Sequence, residues 1–225
     1  MLIENWMTKD VITLTPERTM MKASKLMKEK NINRIPVVDG QGRLVGIISD
    51  RDIKEASPSK ATTLDMHELY YLLAEIKLKD IMTKTVYTVK RTDTVEKAAV
   101  IMHSKNVGGL PVVDDSNHVV GIITDSDVFN VLINITGVLH GGLQIGLELS
   151  MERGEMDHVL DLLRQHEARI MSVLTSYGPP DQDKRQIFIR VHDMSKDSMN
   201  HLKSVLEKEH EILIWTRDPV SSLTS

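Results

Sequence analysis

The chain has 225 residues, 41% hydrophobic and 27% charged, a composition that excludes disorder and leaves room for two small cores or a core with an appended domain. Its 28 basic and 32 acidic side chains give a net charge of −4 without a basic block, which disfavours a nucleic acid as partner. The absence of cysteine removes disulfide frameworks, thiol nucleophiles and cysteine zinc sites. With no leader-like start and no apolar run near the ~20 residues that span a bilayer, no membrane is expected as partner and a cytoplasmic location is.

In chain order, Val11 to Leu14 reads as a strand, and Met20, Ala23 and Met27 mark one face of a helix from about Arg18 to Lys30. Arg34 to Asp39 and Leu44 to Ile48 form two strands joined by the turn Gly40-Gln41-Gly42. After the break Ala56-Ser57-Pro58-Ser59, Leu69, Leu72, Leu73 and Ile76 give a helix from Leu64 to Ile76 an apolar face. Residues 7 to 53 then recur without a gap at 82 to 128, with 21 identities in 47 positions. The stripe returns as Val95, Ala98, Ala99 and Met102, and the strands as Pro111 to Val113 and Val119 to Ile123. A half-unit of this size buries too little apolar surface to stand alone, so the copies should pack as one pseudo-two-fold module with ligands in the cleft between them.

The last third has a different rhythm. Leu143, Ile145, Leu147 and Leu149 alternate as a strand. A helix after Gly154 carries Met156, Val159, Leu160 and Leu163 on one side. Strand Ile170 to Tyr177, turn Gly178 to Asp181, strand Gln186 to Val191, helix Lys196 to Lys208 and strand Glu211 to Thr216 complete a βαββαβ order, the ferredoxin-like arrangement. The fold class is α+β. Its parts are repeat 1 at 1–55, a helical linker at 56–78, repeat 2 at 79–133, the βαββαβ domain at 134–219 and a tail at 220–225.

Each repeat ends on a motif with chemical content: Gly46-Ile47-Ile48-Ser49-Asp50-Arg51-Asp52 and Gly121-Ile122-Ile123-Thr124-Asp125-Ser126-Asp127. A strand runs into a hydroxyl at a helix start, with a carboxylate one turn later. A carboxylate accepts from both ribose hydroxyls, and a hydroxyl with free helix N–H groups suits a phosphate, so the pattern fits a nucleoside. Gly46 and Gly121 would let a group approach the strand closely. A Ser/Thr cap with an acidic N3 residue is also a capping box worth about 1 kcal/mol of helix stability, and that reading accounts for the same residues.

Met7-Thr8, Pro36-Val37-Val38-Asp39 and Gly46-Ile47-Ile48-Ser49-x-x-Asp52, with their partners at 82, 111 and 121, resemble a pair of cystathionine-β-synthase (CBS) domains, the Bateman module, over about residues 1 to 133. The resemblance implies a non-enzymatic regulatory binder of AMP, ADP or ATP, with S-adenosylmethionine, NAD and cyclic di-AMP as further family ligands and no catalytic cofactor. Carried over by position, it implies that Asp52 and Asp127 hold ribose and that Ser49 and Thr124 sit near phosphate. The base would be walled by Thr13, Thr88, Ile35-Pro36 and Leu110-Pro111. Copy one has Arg34 and Arg51 where copy two has Gly109 and Ser126, which favours a phosphate at the first site.

Residues 141 to 217 resemble an ACT domain, a module that often binds an amino acid and pairs with a second copy. Glu152-Arg153-Gly154 stands where that family commonly has Asp-Arg-Pro-Gly, without the proline, so Arg153 and Gly154 mark its expected ligand loop. The whole order is similar to the bacterial acetoin-utilisation accessory proteins (AcuB-like), although no residue here shows acetoin chemistry. A homodimer is expected, with an unnamed protein partner downstream.

Other signals carry less. Gly40-Gln41-Gly42 leads into a strand rather than a helix, so it is a turn and not a dinucleotide loop. Nine histidines are spread without a His-x-x-x-His pair, which argues against a metal site, and no nucleophile elbow or phosphate-cradling Gly-Lys-Thr loop supports an enzyme. A ligand-free dimerisation scaffold is the competing class.

Overall fold

The computed structural model describes residues 1–57, 75–177, 183–217 and 220. All but the last two residues of the expected Leu64–Ile76 helix lie outside them, as does the Gly178–Asp181 turn. The chain divides into two units, Met1–Phe129 and Asn130–Ser225.

In the first unit, α1 (Met20–Lys30) starts where Thr19 accepts the Lys22 N–H on its side chain and stops at Asn31, which takes the left-handed φ of 51°. Strands β1 (Arg34–Val38) and β2 (Leu44–Ser49) pair antiparallel and lead into α2 (Asp50–Ala56). Met20, Ala23 and Met27 are buried against Ile35, Val37, Ile48 and Ile53, as the helical spacing requires. The second copy follows a short helix α3 (Leu78–Ile81). It comprises α4 (Val95–Lys105), capped by Thr94 and closed by left-handed Asn106, then β3 (Gly109–Val113), β4 (Val119–Thr124) and the start of α5 (Asp125–Thr136), whose residues from Asn130 on belong to the second unit.

The expected strand at Val11 to Leu14 shrinks to a single bridge, Leu14 to Val37, matched by Val89 to Val112. Leu14 N–H donates to the Pro36 carbonyl at 3.2 Å and its own carbonyl accepts from Val38 N–H at 2.9 Å. Pro36 has no N–H to extend that ladder, which is why a proline is tolerated and the pairing stays short.

The two copies exchange their lead-in segments. Thr8 pairs with Ile122 of the second copy and Thr83 with Ile47 of the first, through reciprocal N–H to carbonyl bonds of 2.9 to 3.0 Å. A Cβ on Gly46 would stand 2.5 Å from the Met82 sulfur, and one on Gly121 would collide with that of Met7. Those glycines make room for the methionine of the opposite copy, so the close approach expected there is made by protein rather than ligand.

In the second unit, β5 (Leu143–Ser150), α6 (Glu155–Gln165), β6 (Ile170–Tyr177), β7 (Lys184–Val191), α7 (Lys196–Glu209) and β8 (Glu211–Thr216) form an antiparallel sheet ordered β6-β7-β5-β8 with two helices. Leu143, Ile145, Leu147 and Leu149 alternate into the core. There they meet Val159, Leu162 and Leu163 of α6, Leu202 and Leu206 of α7, and Ile187, Ile189 and Val191 of β7.

Candidate functional site

The end of β2 sets the geometry of the first site. Ser49 is the N-cap of α2: its Oγ accepts the Asp52 N–H at 3.2 Å, while Asp52 Oδ2 accepts from Ser49 N–H at 2.7 Å and Ser49 Oγ–H at 2.6 Å. Thr124 and Asp127 repeat this at 3.4, 2.8 and 2.7 Å. Both motifs are therefore capping boxes, with Asp where the usual box has Glu. The cap engages only one oxygen of each carboxylate; Oδ1 accepts no bond from the described residues and is left for an outside donor.

Both aspartates also line a cavity. The first, about 520 Å³, lies between Asn33, Arg34, Ser49, Arg51 and Asp52 of copy one and Thr83, Thr85, Val86, Tyr87, Gly108, Gly109 and Leu110 of copy two. The second, about 260 Å³, lies between Thr124, Ser126 and Asp127 of copy two and Thr8, Asp10, Val11, Ile12 and Asn31 to Arg34 of copy one. Each combines the helix start of one copy with the lead-in of the other. The first falls within the ordinary range for small-ligand pockets and the second just below it.

Arg34 borders both cavities. Its side chain, 18% exposed, crosses to the second copy, where Nη1 donates to the Gly108 carbonyl and stands 4.0 Å from Asp125 Oδ1. Burial pushes its pKa below the ordinary arginine value, while Asp125 and Asp127 act in the opposite direction. Arg51 is exposed on α2 and paired with Glu55 at 2.9 Å.

Of the residues expected at the site, Arg34, Ser49, Arg51, Asp52, Gly109 and Leu110 come together at the first cavity, and Thr124, Ser126 and Asp127 at the second. Thr13, Thr88, Ile35, Pro36 and Pro111 line neither. Ile35, Pro36 and Pro111 are buried in the repeat cores, and the single bridges at Leu14 and Val89 bring the residues just before them, Val11-Ile12 and Val86-Tyr87, to the walls instead. Sequence reasoning also missed Thr83, Thr85, Thr8 and Asp10, which follow from the repeated Met-Thr-Lys lead-in once the exchange of segments is known. In the second unit Arg153 is exposed and Gly154 has a φ of 91°, so the glycine meets a backbone need at the start of α6, and neither lines a described cavity.

Two related halves, crossed at their lead-in segments and enclosing a cavity on either side of one arginine, define a paired-repeat module. The CBS-domain family model matches residues 3–59 and 78–134, and the chain belongs to that family. A CBS domain-containing protein of Dictyostelium discoideum is 34% identical over 134 residues, 60% of this chain and 92% of its own length. The CBS domain pair of protein MJ0100, solved in complex with 5'-methylthioadenosine and S-adenosyl-L-methionine, is 32% identical with a TM-score of 0.50, covering 59% of this chain and 99% of that one. A putative acetoin utilization protein (AcuB) from Vibrio cholerae is 32% identical with a TM-score of 0.51, covering 61% and 94%. The chain spans only 22% of the L-aspartate semialdehyde sulfurtransferase of Methanocaldococcus jannaschii, to which it is 35% identical. No helix among the described residues is long and apolar enough to cross a membrane.

Proposed function

We propose that this chain is a non-enzymatic regulatory sensor that binds an adenosine-containing nucleotide, AMP, ADP or ATP, in the cavities of its CBS pair. The observation that carries the reading is the placement of Asp52 and Asp127: each lines a cavity and caps a helix with one oxygen, so that its second oxygen, without a partner among the described residues, can accept from ribose hydroxyls. The larger cavity is the preferred site. Exposed Tyr87 offers it an aromatic face for a base, and Arg34 offers a positive charge for phosphate. S-adenosylmethionine is the second ligand to consider, because the related MJ0100 pair was solved with it.

A melting scan over AMP, ADP, ATP, NAD, S-adenosylmethionine, 5'-methylthioadenosine and cyclic di-AMP tests the reading. A ligand at 100 times its Kd stabilises the fold by about 2.7 kcal/mol. A flat response to all seven removes the sensor reading in favour of the scaffold.

The second unit supports an extension of this proposal. Its βαββαβ order and sheet order β6-β7-β5-β8 suit a ferredoxin-like ACT domain that passes the signal on. An amino acid is the ligand class for it: Arg190 is 4% exposed, donates to the Thr136 and Gly141 carbonyls and to Gln144, and lines a cavity of about 300 Å³. A homodimer would cover Leu132, which stands 50% exposed on α5. Light scattering that returns the mass of one chain would remove that part of the proposal.

A further inference from the structure

The second unit brings together ligating side chains that are far apart in sequence. Glu155 and His158 share one face of the first turn of α6, three residues apart, and α7 ends at Glu209 with His210 next. His158 Nε2 lies 2.5 Å from Glu209 Oε2, and the two imidazole rings stand 6.1 Å apart. One ring nitrogen from each histidine and one oxygen of Glu209 all lie within 4.8 Å of one another.

His210 makes the cluster more than a surface ion pair. Its side chain is 4% exposed, Nδ1 lies 3.4 Å from Glu155 Oε1, and Nε2 is buried with no hydrogen-bond partner among the described residues. A buried nitrogen in that state loses its hydration without compensation, and a missing ion is one of the few remedies. His158 and Glu209 are half exposed, free to open from hydrogen-bond contact to the wider spacing of ligands around an ion.

We propose that His158, Glu209 and His210 form a binding site for a divalent transition-metal ion of the zinc class, with Glu155 as the outer carboxylate that orients the His210 ring. Two imidazoles and one carboxylate suit zinc or cobalt rather than magnesium or calcium, which prefer oxygen alone. The carboxylate beside a metal-binding histidine is a common supporting arrangement. The ion would tie the first turn of α6 to the end of α7, clamping the two helices that cover the sheet.

Full-length protein stripped with a chelator and titrated with Zn2+ tests this by calorimetry and thermal melting, with Co2+ absorption as a second probe. One ion per chain and a rise in melting temperature are expected. His158→Ala and Glu209→Gln, both at exposed side chains, should each weaken Zn2+ at least tenfold while the metal-free protein still melts cooperatively. Glu155→Gln should weaken it by roughly 10- to 100-fold through the orientation of His210. His166→Ala, at a separate histidine pair with His201, should leave binding intact. The proposal fails if the wild-type chain shows no Zn2+ heat and no melting shift. It also fails if binding survives both His158→Ala and Glu209→Gln, or is lost only in His166→Ala.

Discussion

Arg34 of the first repeat lies over Gly109, the residue that occupies the same position in the second. A Cβ on Gly109 would collide with the Arg34 guanidinium, and Arg34 borders both cavities. Two related halves cannot both place a long cation at their shared seam, where the charges would repel and the volume is already filled. One arginine opposite one glycine removes the conflict, and the two cavities that the arginine borders are unequal, about 520 against 260 Å³. Two halves identical at 21 of 47 aligned positions thus line unequal cavities.

Gly109→Ala should therefore destabilise the CBS pair by about 1–3 kcal/mol through overpacking. Arg34→Ala removes the obstacle, so Gly109→Ala should cost much less in that background. Denaturant melts of the two single variants and the double variant give the coupling. Simple additivity would show that the glycine is required by its own backbone or by the Ile123 carbonyl nearby, rather than by Arg34.

Asp52 has two roles that separate experimentally. As the N3 member of the capping box it contributes about 1 kcal/mol, so Asp52→Ala should lower the melting point of ligand-free protein by a cap-sized amount. As a ribose acceptor it should also control the shift produced by whichever nucleotide binds the larger cavity. Asp52→Ala is expected to reduce that shift strongly, and Asp127→Ala to affect the smaller site instead. If Asp52→Ala lowers only the ligand-free melting point and the nucleotide shift stays whole, the carboxylate is a cap and nothing more.

Much of this arrangement was legible in the chain because the repeat was. The stripe Met20, Ala23, Met27 is buried as its spacing demands, and the strand that ends in Ser49 leads to a helix start in both copies. The CBS pair followed from those motifs. What could not be read was anything that depends on the copies crossing. No local pattern says that Met82 packs on Gly46 or that Thr83 pairs with Ile47, because those contacts join segments 36 residues apart through a tertiary exchange. The walls show the same limit: the lining of the two cavities includes Ile12 and Tyr87, two residues before the single bridges at Leu14 and Val89, rather than Thr13 and Thr88. The histidine cluster was invisible for a related reason. Glu155-x-x-His158 is a helical-face signal and Glu209-His210 is an adjacent pair, but only the packing of α6 against α7 joins them.

The hairpin turns predict an acid-sensitive step in the CBS pair. Asp39 Oδ1 accepts the N–H groups of Gln41 and Arg43, each at 2.9 Å, and Asp114 Oδ1 accepts those of Ser116 at 2.9 Å and His118 at 2.8 Å. These backbone bonds, led by Arg43 for Asp39 and by His118 for Asp114, hold both carboxyls below their ordinary value of 3.8. A carboxyl depressed in the folded state contributes stability that is present above its unfolded value and is lost as pH falls through the folded one. Melting temperature should accordingly fall on acidification from about 4 downward. In Asp39→Asn/Asp114→Asn the amide oxygens can still accept from the turn, but no proton is taken up at these positions. That variant should melt lower near neutral pH and show a shallower acid limb. An acid limb as steep as that of the parent chain would mean that other carboxylates set the acid response.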